Sequence, residues 1–218
     1  MTAREALHEA TRLGVVPLFY DPDVARARAT VGALARGGAT LIEYTLRGPG
    51  ADTVLAQLVR DAPAGVTIGA GSVSTPLQLD LALAAGAAFV VGPNGDRAIA
   101  ERCAAADVAY IPGCLTPSEM VAARAWGCPL VKVFPVSALG GPAFVRAVRG
   151  PLPDLAMMVT GGVTSENATD YLAAGAACLG LGSDLVQLAW VVEDDGRRLV
   201  EATEALLARI RRHRGEAG

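Results

Sequence analysis

Short apolar runs alternate with longer amphipathic ones eight times along this chain, after an opening helical stretch, and that alternation limits the fold more tightly than any other property. It calls for parallel strands joined by helical crossovers, because parallel neighbours cannot be linked by a tight hairpin. The spacing predicts strands at 15–20, 40–46, 66–72, 88–93, 109–114, 130–135, 155–161 and 177–183. Helices are predicted at 23–36, 52–61, 76–85, 96–106, 117–126, 142–148 and 167–174. Several end in the same way, with a last turn closed by glycine at Gly37-Gly38, Gly86, Gly127 and Gly175, where a left-handed cap stops the helix. Their starts carry an oxygen cap beside a proline: Asp21-Pro22-Asp23, Ser74-Thr75-Pro76 and Thr116-Pro117-Ser118-Glu119. Eight strand–helix units in 218 residues, with no break in composition, predict one α/β domain over 1–218. Its expected form is a (β/α)8 TIM barrel with an extra N-terminal helix. An open doubly wound sheet is the alternative, but it would usually carry a GxGxxG turn after the first strand, and none stands there.

Composition narrows the partners. A formal charge of -3 and a pI near 5.4 leave no basic face for nucleic acid. No apolar run approaches the roughly 20 residues of a membrane span, and the N-terminal MTAREALHEATRL lacks the apolar centre of a signal peptide. Cys103, Cys114, Cys128 and Cys178 form no CxxC pair and read as small buried residues of a reducing compartment, so a cytoplasmic protein is expected. His8 and His213 lie in the terminal helices, away from any strand end. No metal site and no cofactor are therefore expected.

Lys132 is the only lysine beside eighteen arginines, and it sits in the apolar run Leu130-Val131-Lys132-Val133-Phe134-Pro135. A buried ammonium is costly unless it is paired or gives up its proton, and lysine, unlike arginine, can give it up. A neutral amine in a dry pocket attacks carbonyls, which is Schiff-base chemistry. The alternative is a buried ion pair that only joins two strands. In Leu41-Ile42-Glu43-Tyr44-Thr45-Leu46-Arg47, strand alternation places Glu43, Thr45 and Arg47 on one face. Glu43 needs either a task or a salt bridge to Arg47 or Lys132. Gly69-Ala70-Gly71-Ser72 offers a close backbone approach to a ligand and a hydroxyl, or simply the small residues of a narrow barrel. The runs after the last two strands, Thr160-Gly161-Gly162 and Gly180-Leu181-Gly182-Ser183, fall where barrel turns commonly gather N–H groups around a phosphate. Ordinary turn glycines are the alternative there.

The segments 38–47 and 127–135, together with Gly69-Ala70-Gly71-Ser72-Val73, Gly92-Pro93, Pro112-Gly113-Cys114, Thr160-Gly161-Gly162-Val163 and Gly182-Ser183, resemble the 2-keto-3-deoxy-6-phosphogluconate (KDPG) / 4-hydroxy-2-oxoglutarate (KHG) aldolase family, in order from about 14 to 185. The resemblance implies a class I aldolase on a (β/α)8 barrel, assembled as a homotrimer. It also implies cleavage of a 2-keto-3-deoxy-6-phospho sugar acid to pyruvate and glyceraldehyde 3-phosphate. Lys132 would form the Schiff base with pyruvate and Glu43 would move the protons. Arg47 and Ser72 would hold the pyruvyl carboxylate, Phe134 and Pro93 would shape the site, and Gly161, Gly162, Gly182 and Ser183 would bind phosphate.

Some positions depart from the family pattern. Tyr44, Val133 and Val136 replace more usual residues, and Leu181 stands where phosphogluconate enzymes often carry glycine. Asn94 and the run 180–185 are closer to the phosphogalactonate (KDPGal) branch, whereas Arg47 stands where that branch tends to have asparagine. The phosphogalactonate acid and 4-hydroxy-2-oxoglutarate thus stay open as substrates. A cofactor-free sugar-phosphate isomerase or a non-catalytic phosphate-binding barrel would keep the glycine turns without needing the lone amine.

Overall fold

The computed structural model describes residues 1–215. It contains parallel strands β1 (Val15–Phe19), β2 (Leu41–Thr45), β3 (Thr67–Gly71), β4 (Phe89–Val91), β5 (Ala109–Ile111), β6 (Gly113–Cys114), β7 (Leu130–Val133), β8 (Ala156–Thr160) and β9 (Cys178–Leu181). Their order in the sheet is β5-β4-β3-β2-β1-β9-β8-β7-β6. The two ends of that list, β5 and β6, are halves of one extended stretch divided at Pro112. β5 pairs with β4 and β6 with β7, so the chain itself closes the ring. The continuous strand expected over 109–114 is thus divided. Pro112 has no N–H to donate, while its carbonyl accepts from the Lys132 N–H at 2.8 Å.

Helices α1 (Ala3–Leu13), α2 (Val24–Arg36), α3 (Ala51–Arg60), α4 (Pro76–Ala84), α5 (Arg97–Ala105), α6 (Pro117–Ala125), α7 (Pro142–Arg149), α8 (Ala168–Ala173), α9 (Leu188–Glu193) and α10 (Arg197–His213) complete the layers. The caps form where the sequence placed them. Asp23 accepts from the N–H of Arg26 and Thr75 from that of Gln78, and Thr116 and Glu119 make a reciprocal capping box. Gly86, Gly127 and Gly175 take positive φ after their helices. α9 is a short helix the periodicity did not indicate, and α10 packs on α2 and α9. Its buried residues Leu199, Thr203, Leu206, Leu207 and Ile210 follow helical spacing. All of β2 and all of β7 are buried, as strands covered by helices on one side and a filled lumen on the other must be.

The strands end earlier than expected at their carboxyl ends. β3 stops at Gly71, β4 at Val91, β7 at Val133 and β9 at Leu181. Ser72, Pro93, Phe134, Gly182 and Ser183 therefore lie in the loops at one mouth, where a barrel carries its chemistry. Among the described residues no helix is long and apolar enough to cross a membrane, and no group of His, Cys, Asp or Glu could hold a metal ion. The four cysteines are free and buried. Burial pushes Cys103, Cys114 and Cys178 up to about 12, which leaves them as packing residues.

Candidate active site

β2 and β7 stand diametrically opposite in the ring, with β1, β9 and β8 between them on one side and β3, β4 and the divided strand on the other. Glu43 comes from the first and Lys132 from the second. Glu43 is fully buried, and neither carboxylate oxygen has a hydrogen-bond partner. Burial pushes its carboxyl above the ordinary 4.5, and the positive charges of Lys132 and Arg47 partly offset that rise. Lys132 is 6% exposed, with Nζ 5.1 Å from the centroid of the Phe134 ring. Among the described residues neither Glu43 nor Lys132 enters a salt bridge. The structural ion pair that could have explained both residues is absent. What remains is an amine and an acid held in reach of each other's charge without neutralising contact, an arrangement typical of sites that move protons.

Arg47 is exposed at the end of β2 and is aimed by its own strand. Its Nε donates to Thr45 Oγ1 at 2.9 Å, and Thr45 in turn donates to the Phe19 carbonyl at 3.2 Å. Among the described residues no carboxylate pairs with Arg47, so its fork is free for an anion. A cavity of about 500 Å³ has walls that include Arg47, Phe134, Gly161, Gly162, Gly182 and Ser183, while Glu43 and Lys132 do not line it. Phe134, 38% exposed, also borders a smaller space of about 170 Å³ that Pro93 lines too. Ser72 borders neither cavity. It follows β3 in the left-handed region at φ 61°, a conformation unusual for a side chain with a Cβ.

The two glycine turns, after β8 and β9, line the same cavity. Gly161 and Gly162 take φ of 86° and 82°, and among the described residues the N–H groups of Gly161, Gly162, Gly182 and Ser183 donate to no protein acceptor. Asn167 braces the first turn from within, donating to the Gly162 carbonyl at 3.0 Å and accepting from the Thr164 N–H at 2.8 Å. Leu181 is fully buried on β9 and borders no cavity, so it does not narrow the space at the two turns.

Two expectations about small residues change. A Cβ at Gly69 would overlap the Phe89 ring, and one at Gly71 would overlap the Glu43 carboxylate. These glycines make room for side chains. Thr160, in sequence only the residue before a glycine turn, joins the candidate site. It is buried at the cavity wall with Oγ1 unpartnered, in space that Gly180 leaves open. A threonine at the last position of β8 was the visible signal. Tyr20 and Asp184 also border the cavity; Asp184 falls in the run 180–185, while nothing in the sequence around Tyr20 marks it.

Solved structures give this geometry a class. A KDPG aldolase from Legionella pneumophila, solved with pyruvate captured at low pH as a covalent carbinolamine intermediate, matches with a TM-score of 0.82 at 31% identity, over 88% of this chain and 93% of that one. The protein is a carbon–carbon lyase, an aldolase of the Schiff-base class. A "Probable 2-dehydro-3-deoxy-6-phosphogalactonate aldolase" of Rhizobium meliloti is 37% identical over 180 residues, 82% of this chain and 84% of that protein. A 2-dehydro-3-deoxy-phosphogluconate aldolase of Pseudomonas aeruginosa is 34% identical over 207 residues, 94% and 92% of the two chains. The family described as KDPG and KHG aldolase matches residues 6–202, and the chain belongs to it.

Proposed function

We propose that the protein cleaves a 2-keto-3-deoxy-6-phospho sugar acid to pyruvate and glyceraldehyde 3-phosphate, with Lys132 as the Schiff-base amine and Glu43 as the proton carrier. The carrying observation is the unpaired, fully buried Glu43 carboxylate across the lumen from the only lysine. Neutral Lys132 adds to the C2 ketone, and loss of water gives an iminium. As Glu43 takes the C4 hydroxyl proton, the C3–C4 bond breaks and its electrons pass into the iminium, leaving an enamine and a free aldehyde. Protonation at C3 and addition of water then release pyruvate and restore the amine. One carboxylate serving both transfers is worth roughly 10²–10⁴-fold. Arg47 and Ser72 hold the pyruvyl carboxylate. Phe134 and Pro93 shape the space around the amine, and Gly161, Gly162, Gly182 and Ser183 hold the phosphate.

Pyruvate and borohydride test this reading by intact mass and peptide mapping. The expected product is one irreversible adduct on Lys132, absent in Lys132→Ala and Lys132→Arg, both of which stay folded and lose cleavage. An adduct confined to the N-terminal amine would overturn it.

The galactonate-type phospho acid is a second reading, supported by the run 180–185 and by the Rhizobium meliloti relative. We also propose a cytoplasmic homotrimer. Exposed Leu77 and Leu81 on α4 and Val121 on α6 supply apolar surface for a subunit contact, and the four free thiols suit a reducing compartment.

A further inference from the structure

The phosphate cradle is made of two turns that belong to different strands, and its N–H groups serve one anion only if the turns keep their relative position. Among the described residues, two hydrogen bonds cross from one turn to the other, and a single atom accepts both. Asp184 Oδ2, in the turn after β9, takes the Ser165 N–H at 2.7 Å and the Ser165 hydroxyl at 3.0 Å, from the turn after β8. Ser165 is anchored in addition to the last helix, since its carbonyl accepts from Arg209 Nη1 at 2.6 Å. Asn167 braces the first turn from within and Gln187 and the Gly182 carbonyl brace the second, while the Gly161 carbonyl accepts from the Ser137 N–H at 3.1 Å; among the described residues none of these other bonds joins one turn to the other. A carboxylate at the rim of a site for a dianion repels that ligand, so its presence there calls for a separate task.

We propose that Asp184 is a positioning residue that clamps the two phosphate-binding turns together through Ser165, and so sets the affinity for the phosphorylated end of the substrate. The proposal rests on the phosphate reading given above. Because Oδ2 alone accepts both bonds, an asparagine oxygen can replace it, whereas alanine cannot. The hydroxyl bond is one of two, so losing Ser165 Oγ loosens the clamp only in part.

The test compares kinetics on the phosphorylated six-carbon keto-deoxy acid and on 4-hydroxy-2-oxoglutarate, with inorganic phosphate as competitor, for the unaltered protein, Asp184→Ala, Asp184→Asn and Ser165→Ala. Asp184→Ala is expected to raise KM for the phosphorylated acid and the inhibition constant of phosphate by about three- to tenfold, the loss of one or two solvent-accessible charge-assisted bonds. Its kcat, and both constants for the short acid, stay within about twofold of the unaltered values. Ser165→Ala gives a smaller rise, and Asp184→Asn restores the KM or lowers it further through loss of the repelling charge. An equal loss on both substrates, or a kcat effect with KM unchanged, would overturn the clamp. So would an unchanged KM in Asp184→Ala while phosphate competes with the unaltered protein. If phosphate fails to compete with the unaltered protein and both acids are cleaved alike, the phosphate reading itself has failed and the clamp falls with it.

Discussion

The absence of a side chain at Gly71 on β3 is what lets the Glu43 carboxylate lie buried between β2 and β3. A Cβ added at Gly71 would occupy the position of Glu43 Oε1, and the two strands run in register through Glu43–Gly69 and Thr45–Gly71. The acid is therefore held by shape and not by hydrogen bonds, since neither oxygen has a partner. A group left unsatisfied in this way costs stability, and it persists where a reaction uses it.

Gly71→Ala is expected to turn the Glu43 carboxylate away from its place. Turnover should fall by at least about tenfold, while borohydride trapping of pyruvate on Lys132 continues, because the amine lies on the opposite wall. In a Glu43→Gln background the same substitution should cost little more, since residues acting through one group are not additive. Full and independent losses in the double variant would show that Gly71 acts by another route.

Burial raises the Glu43 carboxyl above 4.5, so between that value and its folded value the native state holds a proton that the unfolded chain has released. This contribution to stability is complete below pH 4.5 and is lost as pH rises through the folded value. Glu43→Gln removes that dependence. The stability difference between variant and unaltered protein should shift in favour of glutamine as pH rises across the window, by at most about 1.4 kcal/mol per pH unit. Urea melts at a series of pH values measure it, and a flat difference would mean that the acid ionises normally. The acid limb of kcat/KM should likewise lie above the usual glutamate range, because catalysis needs the ionised form.

Positions of the strands and most helices were legible because period-two and period-3.6 patterns, caps and terminal glycines are local signals. Lys132 and Glu43 were legible for a related reason, as charged groups stranded in apolar runs. Other features depend on what lies opposite in space. Gly69 and Gly71 look alike in sequence, yet one clears the Phe89 ring and the other the Glu43 carboxylate. Pro112 reads as the continuation of a strand until the two halves are seen to pair with different neighbours. Thr160 is an ordinary strand residue unless its unpartnered hydroxyl is seen at the cavity wall.

Gly162 tests the cradle directly. Its φ of 82° favours glycine, and a Cβ there would overlap Ser137 on the turn after β7. Gly162→Ala should displace the turn and raise KM for the phosphorylated acid at least about fivefold, with weaker inhibition by inorganic phosphate. Trapping of pyruvate on Lys132 should persist at the unaltered rate. Loss of trapping along with affinity would place the damage in the barrel wall and not in phosphate binding.

Phosphate binding at the two turns, as proposed, predicts an order among substrates. Among the described residues four N–H groups on the two turns have no protein acceptor, and both turns and Arg47 line the cavity of about 500 Å³. A six-carbon keto-deoxy acid with a 6-phosphate can engage both ends, whereas 4-hydroxy-2-oxoglutarate can engage only one. Charge-assisted bonds contribute about 1.5–3 kcal/mol each before solvent competition, so even one surviving bond gives a preference in kcat/KM of at least about tenfold for the phosphorylated acid. Leu181, buried outside the cavity, does not oppose that preference. The measurement is kcat/KM for the gluconate-type and galactonate-type phospho acids and for the short acid, with inorganic phosphate as competitor. A preference of one phospho acid over the other would identify the C4 configuration the site accepts. Equal values for long and short acids, without inhibition by phosphate, would make the glycines mere turns and the short keto acid the better substrate.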